Sequence, residues 1–198
     1  MSDTKESVNN SKKVKIDIAS TITNLMLPDD DMYENSDEYG AEGGRFGEKP
    51  QKNKMKDSGE APPPGISIST DGTLSDTAGR IEISYNETEL TGMAGSVTSI
   101  SFEKQTPYFV TMSRSGTYSA LLVFNSENKR QRCVYNSKIM PPFELTVCTR
   151  YIENGITFDN GGTLVLDYFI EMGGIETEYG NVKISVRNSK LDLDHECC

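Results

Sequence analysis

The sequence predicts an all-β protein: a single antiparallel up-and-down barrel of about 8–10 strands carrying a long disordered insertion. Three observations predict it. Ten short runs of strand-like composition follow one another, bounded by Gly, Pro, Asn or Asp and spaced about 8–12 residues apart. Apolar and polar residues alternate along several of them, the period of a half-buried strand, and no segment carries a helical period. The connections are mostly of hairpin length, which favours a meander over a Greek key.

Residues 1–12 read as a disordered polar leader, and 13–24 as the first barrel strand. In that strand Val14, Ile16, Ile18 and Ile22 alternate with Lys15, Asp17 and Thr21. Residues 25–63 hold ten acidic and five basic side chains with little large apolar surface, too little to offset the entropy of ordering. A disordered acidic insertion is therefore expected there. Its apolar islands Met32, Tyr33, Tyr39 and Phe46 also allow a second reading, an interaction module that folds on a basic partner.

The rest of the barrel occupies 64–189. A strand over 66–74 turns at Asp71-Gly72 or at Asp76–Gly79. Three central runs follow over 80–90, 96–103 and 108–115, separated by Gly92, Gly95 and Pro107. In the first, Ile81, Ile83 and Tyr85 share one face, and Arg80, Glu82, Ser84 and Asn86 the other. Strands over 117–124 and 130–135 come next, and Pro141-Pro142 break the chain before 144–152. Asn154-Gly155 and Asn160-Gly161-Gly162 are hairpin-grade turns, after which 162–171 places Leu164, Leu166, Tyr168 and Ile170 on one side. Gly173-Gly174 lead into 178–186, where Val182, Ile184 and Val186 face inward. Residues 190–198 form a short polar tail, expected to be mobile.

Composition excludes some functions. The formal charge of −10 includes −5 in 25–63 and −4 in 64–189, so there is no basic face for phosphates, and nucleic acid is not expected as a partner. The longest apolar run, over 120–124, is far below a membrane span. The opening MSDTKESVNN has no apolar h-region behind it, and Cys133, Cys148, Cys197 and Cys198 lack a paired C-x-x-C spacing. A cytoplasmic protein with reduced thiols is the expectation. The sole histidine, His195, sits in the tail, so a nucleophile–histidine arrangement inside the fold is not expected. The tail's Asp192, Asp194, His195, Cys197 and Cys198 are metal-ligand types without preorganisation; no metal site or cofactor is expected.

Two charges break the alternation. Glu87 falls on the apolar face of its strand, and Arg114 falls in register with Val110 and Met112. Opposite charges aimed at one interior can form a pair that fixes strand register, a grip on a polar ligand, or the setting of a carboxylate base. Tyr85 and Tyr168 lie on apolar faces as well. Tyr85, Glu87, Arg114 and Tyr168 are the candidate ligand-binding residues. No catalytic residue is assigned.

The runs TDGTLSDTAGRIEISYNETELTGMAGSVTSISFE, VTMSRSGTYSALLVF and GGTLVLDYFIEMGG, in that order, resemble the YwiB-like family of small bacterial proteins. The resemblance spans 13–24 and 65–188. Its most specific pieces are Tyr85-x-Glu87, Thr91-Gly92-x-x-Gly95 and Arg114-Ser115-Gly116. It departs from the family at the longer acidic segment 25–63 and at Met140-Pro141-Pro142-Phe143, where a Pro-Tyr-Gly type turn is expected. The resemblance implies a calycin or lipocalin-like barrel and a domain of unknown function. It supplies a fold and no reaction. Such a barrel has room for side chains or for one small, partly apolar ligand.

Overall fold

The computed structural model describes residues 9–25, 65–137 and 141–189. Residues 1–8 of the leader, the segments 26–64 and 138–140, and the tail over 190–198 lie outside the described residues, and with them the expectations of disorder, partner binding and metal ligation attached to them; residues 9–12, expected to belong to the disordered leader, are strand.

Among the described residues ten strands close into one barrel: β1 (Asn9–Asn24), β2 (Ile66–Thr77), β3 (Arg80–Asn86), β4 (Ser96–Glu103), β5 (Phe109–Gly116), β6 (Tyr118–Asn125), β7 (Arg130–Ser137), β8 (Phe143–Asn154), β9 (Gly162–Met172) and β10 (Ile175–Asn188). Each pairs antiparallel with its neighbours in sequence, and β1 pairs with β10 to complete the ring. This is the up-and-down barrel that the alternation predicts. Closure leaves none of these ten strands at an edge to template aggregation. Among the described residues the one helical element is a 3-10 turn over Glu89–Thr91.

Most strands run a few residues beyond the periodic core, and three places bear on the fold. β1 begins at Asn9, because the backbone of Asn9–Lys12 pairs with Leu74–Thr77 although those side chains are polar. The run 80–90 is strand only to Asn86; the backbone then leaves the ladder for the 3-10 turn. Of the two turns the sequence offers after β2, the structure takes the one within Asp76–Gly79, at Ala78-Gly79, and Gly72 sits inside β2 opposite Val14 and Tyr85. A side chain at Gly72 would collide with Ile16 Cδ1 at 2.3 Å and the Ser84 carbonyl oxygen at 2.6 Å. The glycine that resembles a turn signal is a close-packing position.

The two ends of the barrel differ. At the end holding the β2–β3, β4–β5 and β6–β7 turns, Ile16, Leu74, Ile83, Ile100, Leu164 and Ile184 are buried to the last atom. Each contributes roughly 1.5–3 kcal/mol by leaving water. The β8–β9 loop closes this end, tucking Ile156 beneath the core while Asn154 Nδ2 donates to the Pro107 carbonyl at 3.1 Å. The opposite end, where β1 leaves at Leu25 and β2 begins at Ile66, is not filled. Outside, the barrel carries ion pairs such as Lys15–Asp71 and Arg187–Asp17. Apolar-in and polar-out is the reverse of the outward apolar band of a membrane-spanning barrel. No helix among the described residues is long and apolar enough to cross a membrane.

Candidate functional site

The unfilled end holds a cavity of about 470 Å³, within the range of roughly 300–1,000 Å³ typical of small-molecule sites. Its wall is mainly apolar, with Ile18, Ile68, Met112, Leu122, Leu145 and Val182 among its members. Ile22, Leu25, Ile66, Leu90, Met172 and Ile175 are exposed at the strand ends and turns of the same end, several of them around the opening.

Register builds the polar part of the wall. Directly opposed residues of antiparallel strands share a face. Gly72, Tyr85, Thr98, Arg114, Ala120, Tyr135 and Phe143 form one lateral row, each opposed to the next across β2 to β8. Glu87 stands one residue beyond β3, where its N–H still donates to the Ser96 carbonyl at 2.9 Å. That bond keeps the side chain turned inward. The Thr98 hydroxyl donates to Glu87 Oε1 at 2.5 Å and accepts from Arg114 Nε at 3.2 Å. Arg114 Nη2 lies 3.3 Å from the same carboxylate oxygen. The side chains are 2% (Glu87) and 14% (Arg114) exposed, so this is an interior ion pair bridged by a hydroxyl and not a surface one.

The structure brings Tyr85, Glu87, Arg114 and Tyr168 to one cavity. Tyr85 is adjacent to Thr98, and its hydroxyl is held protonated by burial first and by the Glu87 charge second. Tyr168 lies on β9 with its ring edge-on to Phe124, centroids 5.1 Å apart. Burial, with the Glu178 charge behind it, pushes its hydroxyl up to about 12. Both phenols are therefore neutral hydrogen-bonding groups near pH 7 and not bases. Opposite Tyr168 stands Gly180, where a Cβ would come within 2.4 Å of the ring carbon Cζ. Glycine is what lets the ring lie against β10.

Two residues of the site were missed from the sequence: Thr98, which bridges the ion pair, and Glu178, which lies on the cavity wall. Thr98 shares the parity of Ile100 and Phe102, a signal that could have found it. Glu178 could have been reached by stepping back from Val182 through Gly180. A register shift between Glu176 and Glu178 then puts the neighbours Thr177 and Glu178 both on the cavity wall. Burial raises the Glu178 carboxyl above its ordinary value.

On the outer surface, Arg130 grips Glu171 with both guanidinium nitrogens, and Cys148 Sγ donates to Glu171 Oε1 at 2.9 Å. Burial and then the Glu171 hydrogen bond push the Cys148 thiol up to about 11, so it is a poor nucleophile. Cys133 faces inward and is buried; both thiols are free. Among the described residues no cluster of three or more His, Cys, Asp or Glu side chains could hold a metal ion.

None of the curated proteins matches the chain. Among solved structures it is similar to the ywiB protein from Bacillus subtilis, with a TM-score of 0.59 at 15% identity over 90% of this chain and 93% of that one. At that identity the likeness bears on the fold, and the fold is that of a YwiB-like domain. The model of the family described as Domain of unknown function (DUF1934) matches residues 51–186, which takes in every strand from β2 to β9 and most of β10. With more than half of its length inside that match, the chain belongs to this family of unknown function.

Proposed function

We propose that the protein is a non-enzymatic binder that takes up one small, partly apolar molecule in the open half of its barrel, in the manner of lipocalin-like proteins. The observation that carries this reading is the division of the barrel interior. One half is packed solid, while the other leaves about 470 Å³ walled by apolar side chains around a few convergent polar groups. Tyr85, Glu87, Arg114 and Tyr168 are the residues we assign to ligand contact. Two free thiols, Cys133 inside and Cys148 outside, favour a reducing, cytoplasmic setting.

A neutral apolar fluorophore such as Nile red tests the reading. The protein should bind it saturably at one site. Leu122→Trp, which fills the cavity from β6, should abolish binding while the melting temperature shows a folded barrel. No saturable binding by the wild type, or equal binding by a folded Leu122→Trp variant, would overturn it.

A further inference from the structure

The charges on the cavity wall do not cancel. Three of its lining side chains are formally charged: Glu87, Glu178 and Arg114. Arg114 is engaged by Glu87 at 3.3 Å and by the Thr98 hydroxyl, so one carboxylate, Glu178, is left over. Ring order keeps it so. Arg114 is on β5 and Glu178 on β10, with four strands between them whichever way the ten-stranded ring is followed. The two charges therefore belong to opposite walls. Glu178 is directly opposed to Ile170 of β9 and Asn24 of β1, and Ile170 is buried. Its carboxyl thus sits on the inner face, and no cation among the described residues pairs with it.

An uncompensated carboxylate in an apolar cavity disfavours some ligands and favours others. A carboxylate or phosphate ligand would meet a wall of net formal charge −1, whose arginine is already neutralised. A neutral ligand leaves Glu178 desolvated without a partner. A cationic head with an apolar body satisfies the carboxylate and fills the rest of the space. Tyr168, on the neighbouring β9 and close enough to feel the Glu178 charge, adds an aromatic ring of the kind that attracts ammonium ions. We propose that the ligand class is the apolar amines, with the ammonium group seated against Glu178 and the hydrocarbon in the cavity.

This inference rests on the binding function proposed above, and the test separates the two. Octylamine, octanol and octanoate, matched in chain length, are competed against bound Nile red. Octylamine should displace the dye at least about tenfold more tightly than octanol, the gain expected of one charge-assisted contact. Octanoate should be the weakest. Glu178→Gln should bring octylamine to the level of octanol, while octanol still displaces the dye at least as tightly as it does from the wild type, which also reports that the variant is folded. If octylamine is no better than octanol, or if Glu178→Gln keeps the preference, the amine assignment is wrong while the binding function stands. If Nile red itself does not bind saturably, both fall.

Discussion

Arg114→Met would leave the Glu87 carboxylate inside the barrel with only the Thr98 hydroxyl beside it. A buried charge stripped of its partner costs about 3–5 kcal/mol, whereas replacing the whole pair with apolar groups is often close to neutral. The expected double-mutant cycle follows. Arg114→Met loses several kcal/mol in urea unfolding, and adding Glu87→Leu recovers much of the loss, short of the hydroxyl left behind on Thr98. Single losses below about 1 kcal/mol would mean that solvent reaches the pair as it does at a surface. At this scale the sequence was legible where parity was strict. Glu87, Arg114, Tyr85 and Tyr168 could be placed inside by counting in twos. Thr177 could not be placed, because the register shift between Glu176 and Glu178 turns it onto the same wall as Glu178 and no propensity marks the shift in advance.

The hairpin joining β2 and β3 carries the one non-glycine residue among those described with a left-handed backbone. Ala78 has φ 51° and Gly79 φ 89°, the positive values that both central positions of a type I′ turn require. Alanine tolerates this poorly and asparagine well, since its short polar side chain bonds to nearby backbone. Ala78→Asn should therefore raise stability by about 1 kcal/mol, read as a higher urea midpoint at unchanged slope. An unchanged or lower midpoint would show that the turn is not strained in solution. Element existence was legible throughout, because period-2 alternation holds wherever one strand face is buried. Boundaries were less so. The polar start of β1 at Asn9 is held by backbone pairing, which leaves no mark on side-chain pattern, and the Gly72 within β2 reads locally like the turn that lies six residues further on.

The whole barrel depends on a seam between its first and last strands. β1 and β10 meet in eleven directly opposed pairs, from Val14–Asn188 to Asn24–Glu178. A chain ending at residue 174 would lack β10, leaving one side of β1 with open backbone groups and removing Val182, Ile184 and Val186 from the core. It should fail to give a folded monomer by circular dichroism and size-exclusion chromatography, and a peptide of residues 175–188 should restore native signal when supplied during refolding. A soluble, native-like monomer without β10 would show that the ring is not cooperative. Barrel class was legible because ten alternating runs with short turns leave few other ways to bury one face each. The half-empty interior was not, since the same Ile, Leu and Tyr residues line a solid half and a hollow one. The seam also has a meaning in time. On the ribosome β1 is made early and β10 last of the strands, so β1 waits through nearly the whole of synthesis with one edge open. Until the last strand emerges and reaches the first, that edge is the place where a nascent copy is open to self-association.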